Sequence, residues 1–263
     1  MASLEPATAG LIGFGALARQ VVAALGDEPI RWVALVREGS SSRVPENVAK
    51  VIVLDGLISR RPALVIEAAG QESVFTHVPA LLEAGISVLV ASMGALADPE
   101  IAGRISEARA RSGARLIIPS GAIGGLDYLA AVSRLPDVQI RYRLKKPLAA
   151  WRSELAALGL SDTKISVTLF EGTPAEAARL YPKNLNAAFT VALTVHPAQL
   201  TVAVVADPDI DTNIHEIEAE SAVGHATFRF ANAPSLDNPK TSAVTALSLA
   251  ASIRNFLGDG ARR

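Results

Sequence analysis

The chain has 263 residues, half of them hydrophobic and 19% charged, which describes a compact globular protein of about two domains and excludes a disordered one. Its 25 Lys and Arg against 26 Asp and Glu leave a formal net charge of −1, with no basic excess to hold a nucleic-acid backbone. The absence of cysteine excludes disulfides, thiolate metal sites and cysteine nucleophiles, and no uninterrupted apolar stretch reaches the ~18 residues of a membrane span.

The first 120 residues alternate short apolar runs with helix-like stretches, the pattern of parallel βα units. Strands are predicted at Ala9–Phe14, Arg31–Val36, Lys50–Leu54, Leu64–Ala68, Ser87–Ala91 and Arg115–Pro119. Helices are predicted at Ala16–Leu25, Glu72–Ala84 and Pro99–Ser112, with Pro79 expected to kink or shorten the second. Runs such as Val51 to Leu54 are apolar without alternation, as in strands covered on both faces. After Pro119 the grammar changes. Val138 to Leu144 alternates apolar with polar, and further strands follow at Ile165–Glu171, Leu200–Ala206, Asn213–Ser221 and Gly224–Ala231. Asn184–Val195 and Thr241–Leu257 are the helices of this half. The expected architecture is an α/β chain: a Rossmann doubly wound parallel sheet over 1–119, then an α+β domain over 120–240 with a mixed or antiparallel sheet. The helix 241–257 is free to return to the first domain. The residues before Gly10 lack the pattern of a signal peptide, so a cytoplasmic location is expected. The apolar surplus, with a mean hydropathy of +0.31, suits burial between subunits.

The strongest local signal is Gly13-x-Gly15-x-x-Ala18 between a predicted strand and a predicted helix. Gly13 permits the tight turn, Gly15 lets the backbone approach a pyrophosphate, and Ala18 lets helix pack on strand. The helix opening at Ala16 and Leu17 offers free amides and a positive dipole end to that anion. A NAD-preferring site places an acid at the end of the second strand, where this chain has Arg37, followed by Glu38 and the stretch Ser40 to Arg43. Arg37 and those hydroxyls suit a 2′-phosphate, which favours NADP or use of both coenzymes. Three further strand ends are small and polar: Glu67-Ala68-Ala69-Gly70, Ala91 to Ala95, and Pro119 to Gly125. They are expected to border the nicotinamide, and the paired glycines Gly124 and Gly125 suggest close backbone approach. Gly13, Gly15, Ala16, Leu17, Arg37 and Ala69 are therefore the expected cofactor contacts in the first half.

In Asn213 to Ser221 the even positions carry three Glu and the odd positions Asn, His, Ile, Ala and Ser. Period two directs His215 away from the carboxylates and into the protein, where it is either a structural residue or a proton-transfer group. His225 and His77 are expected to face water, and His196 to stand at a helix end. No metal site is expected: no His pair has ligand spacing, and Asp207 to Asp211 lacks the glycine of a calcium loop. Tyr181 to Asn186 and Asp237 to Ser242 each open a helix, and capping is their default reading. Both nevertheless place a Lys beside helix-terminal amides, which suits a dicarboxylate substrate. Lys183, Asn184, Lys240 and Thr241 are the candidates to hold it.

In order along the chain, the glycine fingerprint, Pro119 to Asp127, Tyr181-Pro182-Lys183-Asn184-Leu185-Asn186, Asn213-Ile214-His215 and Asn238-Pro239-Lys240-Thr241-Ser242 resemble the L-aspartate dehydrogenase family over nearly the whole length. The resemblance implies a Rossmann domain, a catalytic domain that dimerises, and NAD or NADP as cofactor. It implies that His215 is the active-site histidine and that Ala122 and Asn186 contact the cofactor. The implied reaction oxidises L-aspartate to iminoaspartate, which hydrolyses to oxaloacetate and ammonia or feeds pyridine-nucleotide biosynthesis through quinolinate. Reductive amination of oxaloacetate is the reverse. Arg37 departs from the pattern of NAD-preferring sites. The alternatives are a two-domain dehydrogenase or reductase of the homoserine or dihydropicolinate type, or an NAD(P)-binding regulator without turnover.

Overall fold

The computed structural model describes residues 5–181, 185–238 and 241–260. Two compact units divide the chain: Met1–Pro119 with Thr245–Arg263, and Ser120–Val244. Among the described residues no helix is long and apolar enough to cross a membrane.

In the first unit β1 (Ala7–Ile12) turns into α1 (Ala16–Ala24), followed by β2 (Ile30–Leu35), β3 (Val48–Val51), α2 (Leu54–Ile58), β4 (Leu64–Glu67), α3 (Gln71–Glu83), β5 (Ser87–Val90), α4 (Pro99–Ser112) and β6 (Leu116–Ile117). All six strands are parallel, in the order β3-β2-β1-β4-β5-β6. The apolar runs account for this sheet, since β4 is buried at every position, as a strand covered on both faces must be. The order reverses between β1 and β4, and ligands of such sheets bind beyond the strand carboxyl ends at that reversal. Local chemistry bounds α4: Asp98 accepts from the amides of Glu100 and Ile101, Pro99 opens the helix, and left-handed Gly113 (φ 72°) closes it. The last helix, Val244–Gly260, adds Ala246, Leu249, Ala250 and Ile253 to the core around Ala9, Leu11, Val21 and Trp32. Their spacing is one helical stripe. Arg254 fixes the contact by donating to the Ala24 carbonyl at the end of α1 (2.7 Å) and to Glu28 (2.9 Å).

Two expectations for this unit need correction. The strand predicted over Lys50–Leu54 is instead Val48–Val51, and Leu54 opens α2. β3 stands at the edge of the sheet, paired with β2, and the chain leaves the sheet after Val51, so Ile52 and Val53 are exposed rather than core. Pro79 does not shorten α3, which runs for 13 residues with Pro79 buried inside it.

The second unit comprises α5 (Leu126–Val132), β7 (Gln139–Pro147), α6 (Arg152–Ala157), β8 (Val167–Gly172), α7 (Pro174–Leu180), α8 (Asn186–Val195), β9 (Leu200–Asp207), β10 (Asn213–Ser221) and β11 (Gly224–Asn232). Its sheet runs β11-β10-β7-β9-β8. β7 and β9 are parallel and the other pairs antiparallel, so the sheet is mixed. Alternation in β7 buries Ile140, Tyr142, Leu144 and Lys146 on one face. The first three join Leu129 of α5 and Ala188, Val191 and Val195 of α8 in one core. The opposite face is a charged ladder, in which Arg143 pairs with Glu218 (2.8 Å) and Lys145 with Glu216 (3.1 Å). α5, α6 and α7, each of six or seven residues, were not predicted, because a helical period barely shows in so short a segment. The final helix begins at Val244 rather than Thr241, since Ser242 is held in a bridge to Pro234.

Candidate active site

The turn after β1 is shaped by two glycines with different needs. Gly13 has φ +81° and donates its amide to the Leu35 carbonyl (2.8 Å). A Cβ on it would lie 2.8 Å from the Ala69 Cβ, so the β4–α3 loop and the glycine turn touch only because residue 13 lacks a side chain. Gly15 is extended (φ −84°, ψ −165°), a conformation open to any residue, and a Cβ there would meet nothing within 4 Å. The fold does not require glycine at 15, whereas a ligand lying against the backbone does. Ala16 and Leu17 form the first turn of α1, which carries no acidic residue to neutralise its positive end. A dinucleotide pyrophosphate fits this cradle.

Arg37 follows β2, is exposed, and forms no ion pair among the described residues. The Ser40 amide closes a turn on the Arg37 carbonyl (3.1 Å), and the Ser42 amide donates to the Ser40 hydroxyl (3.2 Å). Because β1 pairs with both β2 and β4, Gly13, Arg37 and Ala69 share one end of the sheet.

Sequence reasoning noted the strand end at Glu67, the last residue of β4, but assigned Glu67 no role. Its carboxylate is fully buried and accepts from the amides of Ala69 (2.9 Å), Gly70 (2.8 Å) and Ser92 (2.9 Å), with the Ser73 and Ser92 hydroxyls also in range. No cation pairs with it among the described residues. It ties the loop after β4 to the loop after β5, both at the ligand-binding edge. An acid ending a wholly apolar strand was the available signal.

In the second unit His215 stands on β10 opposite Leu144 of β7 and Phe230 of β11. It is 7% exposed, on the face away from Glu216 and Glu218, as period two predicted. Its Nδ1 lies 2.6 Å from the Tyr142 hydroxyl. Burial, and secondly the positive charge of Lys146, lower its pKa to about 4, so the imidazole is neutral at neutral pH. Burial pushes the Tyr142 phenol up, so it keeps its proton. Lys146 is itself buried, 5.6 Å from the centre of the Trp151 ring. Sequence reasoning missed the roles of Tyr142 and Lys146; the predicted alternation placed Tyr142 on the buried face but stopped at Leu144, short of Lys146.

The loop 120–125 lies over this same face. The Asn232 side chain donates to the Ala122 carbonyl (2.7 Å), fixing Ala122 beside the strand that flanks His215. A Cβ on Gly125 (φ +72°) would meet the Phe228 ring at 2.5 Å. Phe228 therefore accounts for that glycine within the fold. Asn186 is the first residue of α8 and is exposed. The Thr241 hydroxyl accepts from the Asn238 side chain (3.0 Å) inside a local turn. Lys183, Asn184 and Lys240 lie outside the described residues. Of the other histidines, His225 and His196 are exposed. His77 is not, as it was expected to be: it is partly buried on α3, and burial lowers its pKa.

Comparison with known proteins bears on both units. Residues 127–256 match the family model described as aspartate dehydrogenase, C-terminal, and residues 13–119 match homoserine dehydrogenase, NAD binding domain. L-aspartate dehydrogenase 2 of Bordetella pertussis is 42% identical over 255 residues, covering 94% of this chain and 95% of that one. The L-aspartate dehydrogenase of Ruegeria pomeroyi is 40% identical over 249 residues, covering 93% and 90%. The crystal structure of aspartate dehydrogenase from Thermotoga maritima superposes with a TM-score of 0.73 at 29% identity, covering 96% of each chain. A dihydrodipicolinate reductase from Paenisporosarcina, at 13% identity and a TM-score of 0.53, shares the fold alone.

Proposed function

Because this chain belongs to the L-aspartate dehydrogenase family, we propose that its buried His215 is the active-site residue of the reaction that the family name describes. The protein is an enzyme that oxidises L-aspartate at its amino-bearing carbon with NAD or NADP, and in reverse aminates oxaloacetate reductively. When bound, the nicotinamide supplies the hydride acceptor.

The residues of the chain account for the rest. Gly15, Ala16 and Leu17 bind the pyrophosphate through free amides, Gly13 makes the turn that brings the cofactor against the backbone, and Arg37 takes the ribose end. Ala69, Ala122 and Asn186 complete the cofactor contacts. Lys183, Asn184, Lys240 and Thr241 are the proposed clasp for the two substrate carboxylates. Lys146 adds a buried positive charge close enough to His215 to depress its pKa. The observation that carries the assignment of His215 is a neutral buried imidazole with Nδ1 engaged by Tyr142 and no partner for Nε2 among the described residues. Such a nitrogen is left for the substrate nitrogen, or for the water that hydrolyses the imine.

The test is the absorbance of reduced nicotinamide with L-aspartate, run with NAD and with NADP, for the wild type and His215→Ala. Aspartate-dependent reduction that falls by about two to four orders of magnitude in the variant supports the role. Full activity in the variant removes it. The same reading includes a cytoplasmic homodimer, supported by the absence of cysteine and by the exposed apolar side chains Leu158, Ile165 and Leu180 in the second unit. Light scattering that returns the mass of one chain would discard the dimer.

A further inference from the structure

We propose that Tyr142 is a positioning residue that holds His215 in the tautomer protonated on Nε2, so that the resting imidazole meets the substrate as a hydrogen-bond donor. The inference rests on the reading of His215 as the active-site residue. Tyr142 is 0% exposed, and its hydroxyl has one partner among the described residues, the His215 Nδ1 at 2.6 Å. At that distance one of the two groups donates and the other accepts. If Nδ1 carried the proton, the phenol hydrogen would be buried with no acceptor among the described residues, a state that folded proteins avoid. The hydroxyl therefore donates to Nδ1, and the one proton of the neutral ring stands on Nε2.

The alternatives are a tyrosinate or an imidazolium, and the surroundings oppose both. The phenol sits in an apolar core with Leu144 and Ile217. His215 is flanked by Leu144 on β7 and Phe230 on β11, and the nearby charge is the cationic Lys146. Glu216 and Glu218 lie on the opposite face, paired with Lys145 and Arg143. Among the described residues no carboxylate is hydrogen-bonded to the ring to favour a second proton.

A ring so held offers Nε2–H to an acceptor: the keto oxygen of a 2-oxo dicarboxylate, or an imine nitrogen. It polarises that group without itself being charged. Taking a proton from an amine at Nε2 first requires tautomer exchange, with the phenol hydrogen giving up its acceptor. Tyr142 thus biases which half of the proton chemistry the resting site is ready for.

The experiment is a two-bond 1H–15N correlation spectrum of histidine-labelled protein at neutral pH, with His215→Gln identifying the His215 signals. The expected wild-type pattern is a pyridine-like Nδ1 and a pyrrole-like Nε2. In Tyr142→Phe the two shifts should move toward a tautomer average. In the same variant kcat/KM for oxaloacetate should fall about tenfold with coenzyme KM unchanged. A pyrrole-like Nδ1 in the wild type overturns the proposal, as does a Tyr142→Phe variant with unaltered shifts and unaltered kinetics. The wild-type spectrum decides the matter even if the variant does not fold. If His215→Gln keeps full activity, the active-site reading fails while the tautomer assignment is still decided by the spectrum.

Discussion

Glu67 accepts the backbone amide of Ser92 on one carboxylate oxygen, while its other oxygen serves the amides of Ala69 and Gly70. Both oxygens are therefore required as acceptors. Glu67→Gln keeps the shape but turns one of them into an NH2 group facing an N–H. A buried donor left unpaired costs about 1–3 kcal/mol, and the variant should lose about that much stability. Urea unfolding of the two proteins checks it. Since the knot sets the loop carrying Ala69, coenzyme KM should rise as well. An unchanged midpoint would mean that these contacts carry no net energy.

Gly13 and Gly15 are two residues apart and should fail differently. Gly13→Ala forces a side chain into a left-handed backbone and against Ala69, so it should destabilise the protein by about 1–3 kcal/mol whether or not cofactor is present. Gly15→Val introduces a side chain into open space at an ordinary backbone conformation. Its thermal midpoint should stay near that of the wild type while coenzyme binding, followed by calorimetry, is lost. Loss of stability in Gly15→Val with binding intact would reverse the assignment of that space to a ligand.

The glycine turn and the burial of His215 were legible because each depends on local rules: a strand–turn–helix signature for one, period two for the other. The same parity placed Tyr142 on the buried face of β7. Its contact with His215 depends on the register between β7 and β10, where Tyr142 pairs with Ile217, far away in sequence, and no local pattern encodes that pairing. The role of Glu67 was hidden for a related reason. Its partners Ala69 and Gly70 are near in sequence, but Ser92 reaches it only through the pairing of β4 with β5. The apolar run Val51 to Leu54 misled because hydrophobicity alone does not distinguish an edge strand from a central one.

His215 also predicts how stability responds to acid. Its pKa is depressed from 6.5 to about 4 by folding, so between those values the unfolded chain binds the extra proton and the native state does not. Stability from this group is complete above its unfolded pKa and is lost as pH falls toward the folded one. From about pH 7 to about pH 5 the loss is about 2 kcal/mol. His215→Gln lacks the titration, so its urea midpoint should fall less over that interval than the wild-type midpoint does. Parallel pH profiles would show that His215 is not held neutral by the fold.

Arg37 offers the most direct test of coenzyme choice. It is exposed, has no ion-pair partner among the described residues, and stands where an acid would receive the ribose hydroxyls of NAD. A guanidinium there adds a charge-assisted contact to a 2′-phosphate and repels nothing in NADP, whereas a carboxylate would repel that phosphate and accept from the hydroxyls of NAD. Arg37→Asp should therefore shift the ratio of kcat/KM for NADP over NAD toward NAD by about tenfold or more, the effect of one charge-assisted contact of about 1.4 kcal/mol. The total activity with the better coenzyme should change little, because the Arg37 side chain forms no ion pair among the described residues and its turn to Ser40 uses the backbone carbonyl alone. An unaltered ratio would place the selectivity elsewhere in the stretch from Glu38 to Arg43 and leave Arg37 a solvated loop residue.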